Sequence, residues 1–338
     1  MEMYHQISLR DFNTFGIDTT AKMMVRVQRI DDLQTVLHDP KLQNENRLIL
    51  GGGSNLLFTR PLDALVIKID LTGKKIISEN DRYALVEAGA GENWHTFVRW
   101  TIDQNLGGLE NLSLIPGNVG ASPMQNIGAY GVEIKDSFHS LKAVNLITGE
   151  IQEFNKADCE FGYRESVFKR SLKNQFAIVS VQYRLKKYPD FNTSYGAIEQ
   201  ELERMGISEI SLDSVSRAVI NIRQSKLPDP RVLGNAGSFF KNPTISESEF
   251  QNIICNHPDI PHYPAAGGMH KLAAGWMIEQ CGWKGKRIGN CGMHERQALV
   301  LVNYGGATGE EIYDLSEQVL QSVKSRFGVE LEREVNVI

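Results

Sequence analysis

Cysteine is scarce in this chain of 338 residues. Cys159, Cys255, Cys281 and Cys291 lie far apart and form no C-x-x-C pair. A disulfide framework is therefore excluded, and buried thiols are the expectation. Cys291 and His294 could join Cys281, Cys255 and His257 around an ion, but the spacing fits no structural zinc pattern, so no metal is expected. Long apolar runs are also missing. Stretches such as 298–302 are strand-sized, far below the ~18 residues that span a bilayer. The opening MEMYHQISLRDF has no apolar signal core. Charge of one sign is not in excess: 36 Lys and Arg against 41 Asp and Glu give −5, without blocks. Nucleic acid or an anionic membrane as the main partner would need a basic face, and both are excluded on this count. Internal repeats, low-complexity tracts and coiled-coil surplus are absent. The expectation is a soluble cytoplasmic protein, a monomer, that acts on a small molecule.

What is present is ample length and mixed patterning. At ~150 residues per domain the length suggests two to three domains. Strands are expected at 22–27, 47–50, 64–69, 83–87, 176–185 and 298–303, with a hairpin of 141–147 and 151–154. Helices are expected at 30–38, 93–104, 214–224 and 271–281. The 93–104 helix puts Trp94, Phe97, Val98, Thr101 and Ile102 on one face, with Gly107 as its stop. A further helix begins at a capping box, Thr308 with Glu311, and ends at Gly328. Residues 329–337 are expected to close the chain as a strand. Leu227-Pro228-Asp229-Pro230 is a rigid turn that suits a domain boundary. Strands and helices intermix, which indicates an α+β protein of three modest domains.

Two segments carry chemistry. Gly51-Gly52-Gly53-Ser54-Asn55 follows a strand. Glycines there let main-chain amides approach a phosphate, and Ser54 and Asn55 add side-chain donors. Leu56 breaks a G-x-G-x-x-G reading, and no G-x-x-x-x-G-K-[ST] occurs anywhere. Gly89-Ala90-Gly91 fails the same test at Trp94 and suits the start of the following helix. The second segment, 115–131, holds four Gly, two Pro and two Ala and no charged residue. A small, weakly charged, backbone-rich run suits wrapping a flat and partly apolar cofactor.

Nine blocks then recur together in one order. They are Asn13-Thr14-Phe15-Gly16, Gly52-Gly53-Ser54-Asn55, Gly89-Ala90-Gly91, Ile115-Pro116-Gly117, Gln125 through Gly131, Phe161-Gly162-Tyr163-Arg164, Gly234 through Pro243, Ala273 through Ile278, and Leu331-Glu332-Arg333-Glu334-Val335. The chain resembles the UDP-N-acetylenolpyruvoylglucosamine reductase family over nearly its whole length. The resemblance implies an FAD-binding fold of the vanillyl-alcohol-oxidase (PCMH) type, built from two α+β subdomains, plus an α+β substrate domain. The expected boundaries are 1–72 with 326–338, 73–226, and 227–325. It implies FAD and NADPH as cofactors, and reduction of UDP-N-acetylglucosamine enolpyruvate in peptidoglycan precursor synthesis.

The residue roles also come from the resemblance. Flavin contacts fall on Gly51, Gly52, Gly53, Ser54 and Asn55, on Ile115, Pro116, Gly117, Ser122, Gln125, Asn126, Gly128, Ala129, Tyr130 and Gly131, and on Arg223. Tyr195 matches a loop tyrosine that covers a pyrophosphate, Lys226 a phosphate partner, and Asn242 and Gln297 further substrate contacts. Arg164 and Glu334 match the pair that stabilises charge, and Ser238 the proton donor. Strand alternation puts Glu330, Glu332 and Glu334 on one face and cannot choose among them; the family match selects Glu334. Asn336 stands where the family carries Arg.

Two other readings are weaker. Ser238-Phe239-Phe240-Lys241 satisfies S-x-x-K, but the S-D-N and K-T-G partners of penicillin-interacting enzymes are absent. A flavin-binding or nucleotide-binding protein without catalysis would not need Arg164, Ser238 and Glu334 together.

Overall fold

A computed structural model describes residues 2–338. The chain divides into two compact units. The first comprises residues 2–7, 21–52 and 63–225, and the second residues 8–20, 53–62 and 226–338.

The first unit contains two sheets. One runs in the order Met3–Ser8, Thr20–Val27, Leu62–Ile69, Arg47–Leu50, and its last two strands are parallel. Helix α1 (Ile30–His38) buries Leu33, Val36 and Leu37. The other sheet is antiparallel, in the order Ile151–Asn155, Phe138–Asn145, Phe176–Lys186, Tyr83–Gly89, Lys74–Glu79. Alternation in Phe176–Lys186 sends Val179, Val181, Tyr183 and Leu185 into the core. Helix α2 (Trp94–Asp103) is capped by Asn93, whose side chain accepts from the Thr96 amide, and buries the apolar stripe expected of it. It stops at Asn105, in the left-handed region at φ 57°. Gly107, the expected stop, instead exchanges main-chain hydrogen bonds with Lys186. Helices α3 (Gly196–Arg204) and α4 (Leu212–Lys226) pack Ile198, Leu202, Ala218, Val219 and Ile222 together.

The second unit has a core of Phe239, Phe240, Met277, Ile278, Leu301, Ile312 and Val319 with others. Helix α5 (Glu247–Asn256) starts at a Ser246–Glu249 capping box. Helix α6 is Ala274–Gln280. Helix α7 (Gly309–Phe327) starts at the Thr308–Glu311 box and ends at Gly328 with φ 70°, as expected. The helix expected over 271–281 is shorter. Lys271 and Leu272 belong to the strand Met269–Leu272, which pairs with His262–Ala265 and Thr244–Ile245. Residues 329–337 are not one strand. Arg333 forms an antiparallel bridge with Phe240, and Asn336–Val337 then pairs in parallel with Leu56–Leu57. The segment changes partner, so its ladder breaks between the two. No helix among the described residues is long and apolar enough to cross a membrane.

Candidate active site

In the first unit three glycine turns lie against one another. The Trp94 amide donates to the Gly117 carbonyl at 3.0 Å, the Val119 amide to Glu92 at 2.9 Å, and the Gly120 amide to Ala90 at 2.9 Å. The Asn118 side chain donates to the Gly91 carbonyl at 2.8 Å. A Cβ on Gly52 would stand 2.6 Å from Asn118 Oδ1 and 2.9 Å from Gly117 Cα, which only glycine avoids. The Gly89–Gly91 turn thus does more than start α2: the 117–120 run packs on it. The amides of Gly52 and Gly117 donate to no other described residue. Adjacent unspent N–H groups on half-buried glycine turns form the donor set a pyrophosphate requires, so these residues fit FAD.

The run 115–131 divides by what its side chains do. Ser122 is buried, with its hydroxyl 2.9 Å from the Tyr183 hydroxyl. Asn126 is wholly buried, donates to the Gly162 carbonyl at 2.9 Å and accepts from the Lys135 amide at 3.1 Å. Both side chains are spent inside the protein, which leaves only main chain there for a ligand. Gly128 and Ala129 pair with Glu133 and Val132 in a short antiparallel ladder. Ile115 and Gln125 are half-buried; Pro116 and Gly131 are exposed.

Arg164 sits in the left-handed region, at φ 55°. Its guanidinium donates to the Gly128 carbonyl at 2.7 Å and lies over the Tyr163 ring. Arg223, on α4, donates to the Leu114 carbonyl at 3.3 Å, and its charge acts on the Tyr130 phenol. Burial draws the Arg223 guanidinium down; Tyr130 opposes this, and the charge of Arg164 adds to it. Burial likewise raises the Tyr130 phenol, against the pull of Arg223. Tyr195, exposed at the start of α3, meets the Tyr130 ring edge-on at 5.5 Å. Arg164, Arg223, Tyr130 and Tyr195 are therefore brought together, and they form a positive, aromatic-lined cluster suited to an anion.

In the second unit, Ser238 follows Gly237 at φ 72°. Its hydroxyl bonds no described residue. The next residue, Phe239, is clamped on both sides: its amide donates to Leu299 at 2.7 Å, and its carbonyl accepts from the Glu334 amide at 2.8 Å. Glu330 and Glu332 are spent on the surface, with Lys324 and Lys241 respectively. Arg333 is locked by Ser316 and Glu317. Glu334 is half-buried, and its main chain is held to Phe239. The Asn55 side chain donates to the Glu334 carbonyl at 3.2 Å, and the Asn336 amide and side chain both donate to the Asn55 carbonyl. Asn336 thereby fastens the end of the glycine loop. Ser54 is half-buried in that loop, Gly53 is at φ 61°, and Gly51 is half-buried at its start.

The remaining substrate candidates are mixed. Lys226 is exposed at the end of α4. The Asn242 oxygen accepts from the Ala274 amide at 3.0 Å and so holds the start of α6. The Gln297 oxygen accepts from the Leu299 amide at 3.3 Å. Sequence reasoning missed Asn111, whose side chain donates to Tyr130 and Asn192 carbonyls. It also missed Ser166, bonded to the Met124 carbonyl, and His95, discussed below. None carries a sequence signal beyond a polar residue inside an apolar stretch.

Comparison with known proteins decides the family. A reductase from Flavobacterium johnsoniae, UDP-N-acetylenolpyruvoylglucosamine reductase, is 55% identical over 339 residues and covers 100% of both chains. The chain belongs to the UDP-N-acetylenolpyruvoylglucosamine reductase family. The family's C-terminal domain profile matches residues 229–338, and an FAD binding domain profile matches residues 21–155. The family member from Burkholderia pseudomallei is 50% identical, covering 97% of this chain and 94% of that one. The crystal structure of the Thermus caldophilus family member shares the fold, with a TM-score of 0.69 at 22% identity over 99% of this chain and 98% of that one. The α+β class, the FAD-binding domain and the separate C-terminal domain of this family are as expected.

Proposed function

We propose that the protein reduces the enolpyruvyl ether of UDP-N-acetylglucosamine enolpyruvate to UDP-N-acetylmuramate, with NADPH as reductant and FAD as cofactor, in peptidoglycan precursor synthesis. When bound, FAD supplies the ring that takes hydride from NADPH and gives it to the sugar nucleotide. The amides of Gly52 and Gly117 would hold its pyrophosphate, and the main chain of 115–131 its ring system.

The residue roles follow from where charge and protons must go. Hydride addition at the terminal carbon of the enolpyruvyl group drives negative charge into its carboxylate. A nearby guanidinium stabilises that charge, which is the role we assign to Arg164 with Glu334. The carbon bearing oxygen and carboxylate then needs a proton, which Ser238 donates. A serine hydroxyl is a weak acid, but against a carbanion-like centre the mismatch narrows. Tyr195 and Lys226 hold the pyrophosphate, with Asn242 and Gln297 adding amide contacts through their NH₂ groups. The single observation that carries the reading is Ser238: a hydroxyl with no hydrogen-bond partner among the described residues, next to Phe239, whose carbonyl accepts from the Glu334 amide at 2.8 Å. We assign the protein to the cytoplasm as a monomer, with consequences for cell shape and division. Purified protein that carries flavin absorbance and oxidises NADPH only when the enolpyruvyl nucleotide is present supports the reading. Colourless protein that refuses FAD contradicts it.

A further inference from the structure

His95 stands in the first turn of α2, half-buried. The Leu114 amide donates to its Nδ1 at 3.0 Å. Nδ1 must therefore be unprotonated, and the neutral ring carries its proton on Nε2. Leu114 is a branched residue at φ 59°, a conformation that persists only where neighbours enforce it. Here both faces of the residue are held: its amide by His95, and its carbonyl by Arg223 at 3.3 Å. Leu114 directly precedes the 115–131 run. We infer that neutral His95 is a positioning residue that pins Leu114 and thereby sets the entry of the flavin loop and the place of Arg223.

Every charge facing the ring favours the neutral form. Burial pulls the imidazole below its ordinary 6.5, followed by Arg99 on α2 and Arg223 on α4. Arg99 is itself paired with Asp213 at 2.7 Å, Arg223 donates to the Leu114 carbonyl, and residues 112–117 carry no charged side chain. The helix N-terminus adds to the same effect, since a cation there opposes the macrodipole. Protonation removes the acceptor and breaks the pin. With a depressed folded pKa, the contribution of the pin is complete above about 6.5 and is lost as pH falls through the folded value.

The inference rests on the reading that 115–131 holds flavin, and the test separates the two. Asparagine places Oδ1 as many bonds from the backbone as His95 Nδ1 and does not titrate. Wild type, His95→Asn and His95→Leu are loaded with FAD, and release is followed by flavin fluorescence from about pH 7.5 to about pH 5. The wild-type dissociation constant should rise on the order of tenfold per unit of pKa difference. His95→Asn should hold its neutral-pH value throughout, and His95→Leu should bind weakly already at neutral pH. An acid limb unchanged in His95→Asn, or wild-type affinity in His95→Leu, overturns the inference. A second arm uses flavin-free protein, where the thermal midpoint of wild type should fall relative to His95→Asn below about pH 6.5. If that difference is present but wild type binds no FAD, the flavin reading fails and the pin stands. If it is absent, the pin fails.

Discussion

The Asn55 side-chain amide donates to the main-chain carbonyl of Glu334 across 279 residues of sequence, at 3.2 Å. The last residue of the glycine loop and the acid assigned to charge stabilisation thus share one hydrogen-bonded unit. The Asn55 carbonyl is held in turn by two donors from Asn336, the amide at 3.1 Å and the side chain at 3.0 Å. Asn55→Ala removes the link to Glu334 and should cost about 0.5–1.5 kcal/mol. Asn336→Ala should cost less, because the main-chain donor remains. Thermal denaturation of the two variants checks the order, and an equal or larger loss in Asn336→Ala contradicts it.

Gly52 has no room for a side chain. Alanine there would press its Cβ against Asn118 Oδ1 and Gly117 Cα, atoms of the very turns that present free amides. Gly52→Ala should lower stability by about 1–3 kcal/mol, the usual penalty of overpacking, and weaken FAD binding with it. Unchanged flavin affinity by fluorescence titration would show that the loop amides do not hold the cofactor.

Tyr195 and Lys226 are both exposed, so altering them should leave the fold intact. Tyr195→Phe and Lys226→Ala should chiefly raise the Michaelis constant for the sugar nucleotide while flavin stays bound. Loss of one charge-assisted contact corresponds to about 1.5–3 kcal/mol, or roughly 10- to 150-fold. Flavin loss at unchanged substrate affinity in steady-state kinetics would place them elsewhere.

Local patterning exposed much of the fold. The stripe from Trp94 to Ile102, the Thr308–Glu311 box and the 47–50 strand are each set by neighbours a few residues away, and the structure has them. Lys271 and Leu272 read as helix because the run that follows is helical. Their strand partners, Tyr263, His262 and Thr244, are remote in sequence. The end of α2 lies where the pattern puts it, but its stop is Asn105, which adopts the left-handed conformation in place of Gly107. The site was legible as ordered motifs, but motifs do not say whether a side chain or its main chain faces a ligand. Ser122 and Asn126 turn inward, and His95 matters only because Leu114 comes back to it.

The central claim is that Ser238 donates a proton to the substrate carbon, and the two halves of the reaction isolate it. Transfer from NADPH to the flavin needs no such proton, so Ser238→Ala mixed anaerobically with NADPH should lose flavin absorbance at the wild-type rate. Return of absorbance on adding UDP-N-acetylglucosamine enolpyruvate should then be slower by roughly 10²–10⁴, the worth of a positioned general acid. Ser238→Cys, which keeps a donor, should recover part of that rate. Stopped-flow absorbance reads both steps in the same mixture. A Ser238→Ala variant whose absorbance returns at the wild-type rate would contradict the account, and the proton would have to come from another group or from water.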